Sequence, residues 1–125
     1  MSVLKSFRDL IVYKSARVAA KRIFDITSSF PKHELYALTD QMRRSSRAVN
    51  AMVAEAWARR RYEAAFVNKI NEALGEAMET QAWLDHALDC GYLELAHHRQ
   101  LDDSFQEIGA MLQGMIDRSS KFCPA

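Results

Sequence analysis

Apolar side chains recur along this chain at three- and four-residue steps, in four runs parted by short polar breaks. That spacing predicts four amphipathic α-helices. The first run, Leu10, Tyr13, Ala16, Ala20, Ile23 and Phe24, predicts a helix to about Thr27. Ahead of it, Ser6-Phe7-Arg8-Asp9 has the form of a capping box with Asp in place of Glu. The hydroxyl serves orphan N–H groups, and the carboxylate suits the positive end of the helix dipole. Ser28-Ser29-Phe30-Pro31 ends this helix, because the residue before a proline avoids helical angles.

The second run holds Leu35, Leu38, Met42, Ser45, Val49, Met52, Val53 and Ala56, and predicts a helix from near Lys32 to about Arg60. The third, Phe66, Ile70, Ala73, Ala77, Leu84 and Leu88, closes at Cys90-Gly91, where glycine suits a left-handed cap. The fourth helix is expected from Glu94 to about Ser119, with Leu101, Phe105, Ile108, Leu112, Met115 and Ile116 turned inward. The least marked boundary is Arg59-Arg60-Arg61-Tyr62, which has neither glycine nor proline.

Helices of this length consume the chain and leave only short connections, which place neighbours antiparallel. The expected fold is all-α: an up-down-up-down antiparallel four-helix bundle, with residues 1–125 as a single domain. Composition agrees. Hydrophobic residues make up 49% and charged residues 26%, a globular balance, and no proline interrupts the 92 residues between Pro31 and Pro124. The sequence has no signal-peptide apolar region at its start and no apolar run long enough for a membrane span. Cys90 and Cys123 are too few for a disulfide framework and read as reduced thiols, so a cytoplasmic, membrane-free setting is expected.

Charge changes the picture more than composition does. Residues 1–61 hold 13 Lys/Arg against 5 Asp/Glu, and residues 62–125 hold 4 against 11, so a net +8 faces a net −7. Such a division suits either an internal electrostatic match or a basic surface for a polyanion.

Several segments also carry a resemblance. Phe30-Pro31-x-x-Glu34-x-Tyr36-x-Leu38-Thr39-x-Gln41-Met42-Arg43-Arg44, Val53-Ala54-Glu55, Glu76-Ala77-x-Glu79-Thr80-x-x-Trp83-Leu84 and Gly91-Tyr92-Leu93 occur in this order. Together they resemble the bacterial four-helix-bundle family of proteins encoded in intervening sequences of 23S ribosomal RNA genes. Wider relatives of that family include the accessory variability protein of diversity-generating retroelements. The likeness covers about residues 7–118. It implies a bundle that assembles into a ring, commonly a pentamer, and in the retroelement branch a ring that binds RNA and a reverse transcriptase. Where the family often reads Asn-Ile-Ala-Glu-Gly, this chain has Met52 for the Asn and Ala56 for the Gly.

On a helical wheel Gln41, Arg44, Ala48, Met52, Glu55 and Arg59 flank the apolar face of the second helix. Glu72, Glu76, Glu79 and Trp83 flank that of the third. The two stripes either meet, across subunits or within one bundle, or are simply solvated; where they meet, Arg44 and Arg59 are the preferred partners of Glu76 and Glu79. Arg43, Arg47, Arg60 and Arg61 are the candidate nucleic-acid contacts, since guanidinium forks suit phosphate and Tyr36 or Tyr62 could stack on a base.

Other chemistries find less support. No Glu-x-x-His occurs for a di-iron site, and no glycine-rich phosphate loop. His86, Cys90, His97 and His98 would have to converge around Gly91 to hold zinc. Neither catalytic residues nor a cofactor are expected. The leading reading is a non-enzymatic homo-oligomer, a pentameric ring on the resemblance, whose basic second helix meets structured RNA or a nucleoprotein. The alternative is a stand-alone bundle with a small-molecule or metal site.

Overall fold

The computed structural model describes residues 4–124, so the opening Met1-Ser2-Val3 lies outside the described residues. Four α-helices follow one another: α1 Ile11–Thr27, α2 Leu38–Ala58, α3 Glu63–Asp89 and α4 Leu95–Asp117. Short 3-10 turns flank them at Phe7–Asp9, Lys32–Glu34 and Ser119–Lys121.

Contacts between helices show the topology. Asn50 and Arg43 of α2 bond Tyr13 and Thr27 of α1, so partner numbers rise on one helix as they fall on the other. The same reversal relates Arg44 and Glu55 of α2 to Glu76 and Lys69 of α3, and Gln81 and Asp85 of α3 to Asp102 and His98 of α4. Each helix is antiparallel to the next, and α1 packs against α4 to close the bundle. The fold is the expected all-α, up-down-up-down four-helix bundle.

Phe66, Ile70, Leu84, Phe105, Ile108 and Leu112 from α3 and α4 meet Ile23, Met42, Val49 and Val53 from α1 and α2 in one apolar cluster. α1 contributes small residues, Ala16 and Ala19, which let it approach closely. Its inward stripe is Val12, Ala16, Ala19, Ile23 and Thr27, rotated from the sequence expectation. Phe24 is therefore displaced to the surface, 39% exposed, on the flank toward α2.

Two boundaries also differ. Ser6 and Asp9 do form a capping box, but it caps the 3-10 turn: Asp9 Oδ2 accepts from the N–H groups of Lys5 (2.9 Å) and Ser6 (3.0 Å). Those N–H groups, Lys5 first, hold the Asp9 carboxyl below its usual range. Leu10 then returns to extended angles before α1 begins.

The second difference is the start of α2, at Leu38 rather than Lys32. Pro31 and Ala37 are non-helical, and the intervening loop is held elsewhere: Phe30 is buried, and Tyr92 Oη donates to Glu34 Oε2 at 2.9 Å. That bond raises the Tyr92 pKa, since the anionic carboxylate opposes a phenolate. The Phe30-Pro31-x-x-Glu34 and Gly91-Tyr92-Leu93 motifs thus meet at one end of the bundle, where the Phe30 and Tyr92 rings lie 5.4 Å apart. Leu35, expected inward, is 44% exposed because it precedes the helix.

Candidate nucleic-acid interface

The charge division of the sequence becomes a division of the surface. α1 carries Lys14, Arg17, Lys21 and Arg22 against Asp25, and α2 adds Arg43, Arg44 and Arg47 against Asp40 and Glu55. α3 carries six carboxylates against Lys69, and α4 four against Arg99. Because consecutive helices are neighbours, the α1–α2 side is basic and the α3–α4 side acidic.

Where α2 meets α3 the two signs meet in ion pairs. Arg44 Nη1 lies 3.4 Å from Glu76 Oε1, and Arg44 Nη2 pairs with Glu79. Glu79 also accepts from Trp83 Nε1 at 3.3 Å, and Gln41 Oε1 accepts from Arg44 Nε at 3.3 Å. The Glu76 side chain keeps only 12% exposure, so its charge needs this partner. These contacts lie within one chain.

Arg59 does not join them. It ends α2 at non-helical angles (φ −98°, ψ 11°), is exposed, and forms no ion pair among the described residues. Lys69, the sole Lys or Arg of α3, supplies the second cation of the seam instead, on other glutamates: its Nζ sits 3.1 Å from Glu55 and 2.8 Å from Glu72. Both bonds, Glu72 first, raise the Lys69 pKa by favouring the ammonium. The signal in the sequence was a single cation among the glutamates of the third helix.

The four candidate arginines divide into two places and two roles. Arg43 is not turned outward as its wheel position suggests. Its Nε donates to Thr27 Oγ1 at 3.0 Å, and its guanidinium lies 4.6 Å from the centre of the Phe24 ring. Arg60 is likewise engaged, because its Nε donates to the Trp57 carbonyl at 2.8 Å and its guanidinium stacks 3.5 Å over the Trp57 ring. The same carbonyl also accepts the Arg60 backbone N–H at 3.4 Å, so side chain and main chain together close the end of α2. This closes a boundary that lacks both glycine and proline. Arg47 and Arg61 are exposed. Tyr36 is 92% exposed and Tyr62 67%.

Arg47 also lines a groove of about 440 Å³ between α1 and α2, with Tyr13, Arg17, Lys21, Phe24 and Asn50. Arg17 and Lys21 were missed because the first helix was read for its apolar stripe alone. Phe24 was read as core.

At the opposite face His98 Nε2 bonds Asp85 Oδ1 at 2.8 Å and, with Asp102, forms a group whose ligand atoms lie within 4.8 Å of one another. Among the described residues this, not the His86–Cys90–His97–His98 set, is the convergence of metal-type ligands. His86 instead packs on Trp83 at 5.8 Å.

Fold and surface together define a small four-helix-bundle protein with opposed basic and acidic sides. Residues 8–114 match the 23S rRNA-intervening sequence protein family, and the chain belongs to that family. Among solved structures it is similar to a protein with unknown function from the S23 ribosomal protein family of Bacteroides thetaiotaomicron VPI-5482. The two are 26% identical with a TM-score of 0.77, and the match covers 86% of this chain and 96% of that one. No curated protein matches the chain. Among the described residues no helix is long and apolar enough to cross a membrane.

Proposed function

We propose that this chain is a non-enzymatic scaffold of the cytoplasm that assembles with copies of itself and binds structured RNA, or a nucleoprotein such as a reverse transcriptase, through its α1–α2 side. The observation that carries the reading is the side-by-side placement of the basic helices, with Arg17 and Arg47 outside ion-pair distance of any carboxylate among the described residues. A cationic surface beside a predominantly acidic one is suited to a polyanion. The opposed signs also suit head-to-tail contact between copies, the interface type that closes into rings such as the pentamer. A ring would repeat the basic side and multiply weak contacts.

The test combines mass and retention. Light scattering after size exclusion at physiological salt should give a multiple of the 14.3 kDa chain, and a lone monomer would remove the scaffold. Structured RNA should be retained at 50 mM salt and released steeply by 200 mM, as phosphate contacts release counterions. Replacing Arg43, Arg47, Arg60 and Arg61 with Gln should abolish retention. Binding by wild type that the quadruple variant matches would clear these four arginines of the role.

A further inference from the structure

The α1–α2 groove differs from the rest of the basic side because its charges surround an aromatic surface. Phe24 is 39% exposed there, with Arg43 4.6 Å, Lys21 5.7 Å and Arg47 5.7 Å from its ring centre. Arg43 is fixed by Thr27, and Lys21 shares its charge with Asp25 one turn on. Arg17 and Arg47 point into the groove from opposite helices with no such partner among the described residues. At the floor Asn50 Nδ2 donates to the Tyr13 carbonyl at 3.1 Å, which orients the amide and leaves its Oδ1 as an acceptor among donors.

Cations for a phosphate, an aromatic face and an amide acceptor for a base: each part of a nucleotide finds its chemistry within one concave site. The groove is open to solvent, with a volume of about 440 Å³. A base can reach Phe24 only when it is unpaired, because a duplex keeps its faces stacked inside.

We propose that this groove binds an unpaired nucleotide of RNA, the base against Phe24 and Asn50 and the flanking phosphates on Arg17 and Arg47. The inference rests on the RNA reading above and narrows it from a charged side to a single-strand pocket.

Electrostatics and stacking make opposite demands, which gives the test. A duplex has the higher charge density, so charge alone favours the duplex. Anisotropy at 50 mM salt, with a labelled single-stranded 12-nucleotide RNA and a blunt 12-base-pair RNA duplex, should show the single strand bound about tenfold more tightly. Phe24→Leu keeps an apolar side chain at an exposed position and should lower single-strand affinity about tenfold while leaving duplex binding unchanged. Arg17→Gln with Arg47→Gln should weaken the single strand and reduce its salt slope by about 1.4, two contacts at about 0.7 each. Arg99→Gln, on the acidic side, should change nothing.

Equal or tighter binding of the duplex, or single-strand binding indifferent to Phe24→Leu, overturns the pocket while leaving the basic side as an RNA surface. If neither RNA binds at 50 mM salt, the RNA reading itself falls, and the pocket with it.

Discussion

At the residue scale, the informative side chains are polar ones inside the bundle. Ser45 and Thr80 are both fully buried, their hydroxyl oxygens 2.8 Å apart, with Thr80 Oγ1 donating to the Glu76 carbonyl at 2.9 Å. The pair links α2 to α3 one turn from the Arg44–Glu76 contact. Thr80→Val should cost about 1–2 kcal/mol, because Ser45 loses its partner inside the core. Adding Ser45→Ala removes the group left behind, so the double variant should cost clearly less than the two singles summed; urea denaturation measures all three. Ser45 was legible as an inward position from its spacing. Thr80 was not, since a lone hydroxyl among apolar residues announces neither its depth nor its partner.

Arg44 gives a second residue-scale expectation. A double-mutant cycle with Arg44→Ala and Glu76→Gln should return a coupling of about 0.5–1 kcal/mol, modest because the guanidinium is half exposed. Lys69 sets a pH expectation. Its folded pKa is raised, so its contribution is fully present below the ordinary lysine value of 10.5 and is lost as pH rises through the higher folded value. Stability measured across that alkaline window should fall less in Lys69→Met than in wild type.

At the element scale, the helix ends show where local sequence suffices. Gly91 has φ +74°, the left-handed angle that a C-terminal cap requires, as Cys90-Gly91 suggested. Gly91→Ala should destabilise by about 1–2 kcal/mol. Gly75 lies in the exposed middle of α3, and a Cβ there would meet nothing within 4 Å. Gly75→Ala should therefore stabilise, by about 0.5–1 kcal/mol. Thermal melts of the two variants should move in opposite directions. The start of α2 was misplaced because nothing near Lys32 reveals that Glu34 will be held by Tyr92, 58 residues away.

At the scale of the whole molecule, antiparallel succession turns a sequence split by charge into a body with two sides. Assembly and RNA retention should then share one dependence on ionic strength, since opposite signs drive both. Sedimentation across 50–500 mM salt should show the two weakening together, whereas an apolar interface would hold as RNA is lost. At the α2–α3 seam Arg44 and Lys69 are already engaged by four carboxylates, so the cations available to partners include Arg47 and those of α1.

Four helices, their order and most of the core stripe were written in the sequence, because apolar periodicity reports one helix face and short links leave neighbours little choice but to run antiparallel. The charge division was there too. Which cation meets which anion was decided only in three dimensions. Arg59 was the expected partner for the glutamates, but it sits at the end of α2 without an ion pair among the described residues, and the pitch of α3 brings Lys69 to Glu55 and Glu72. Phe24 was decided there as well: the same spacing permits it inside or on the flank. The small residues Ala16 and Ala19 pack α1 closely enough to turn Phe24 out, where three cations surround it. A periodic pattern specifies a face to within about one residue, and that margin separates a core side chain from the wall of a groove.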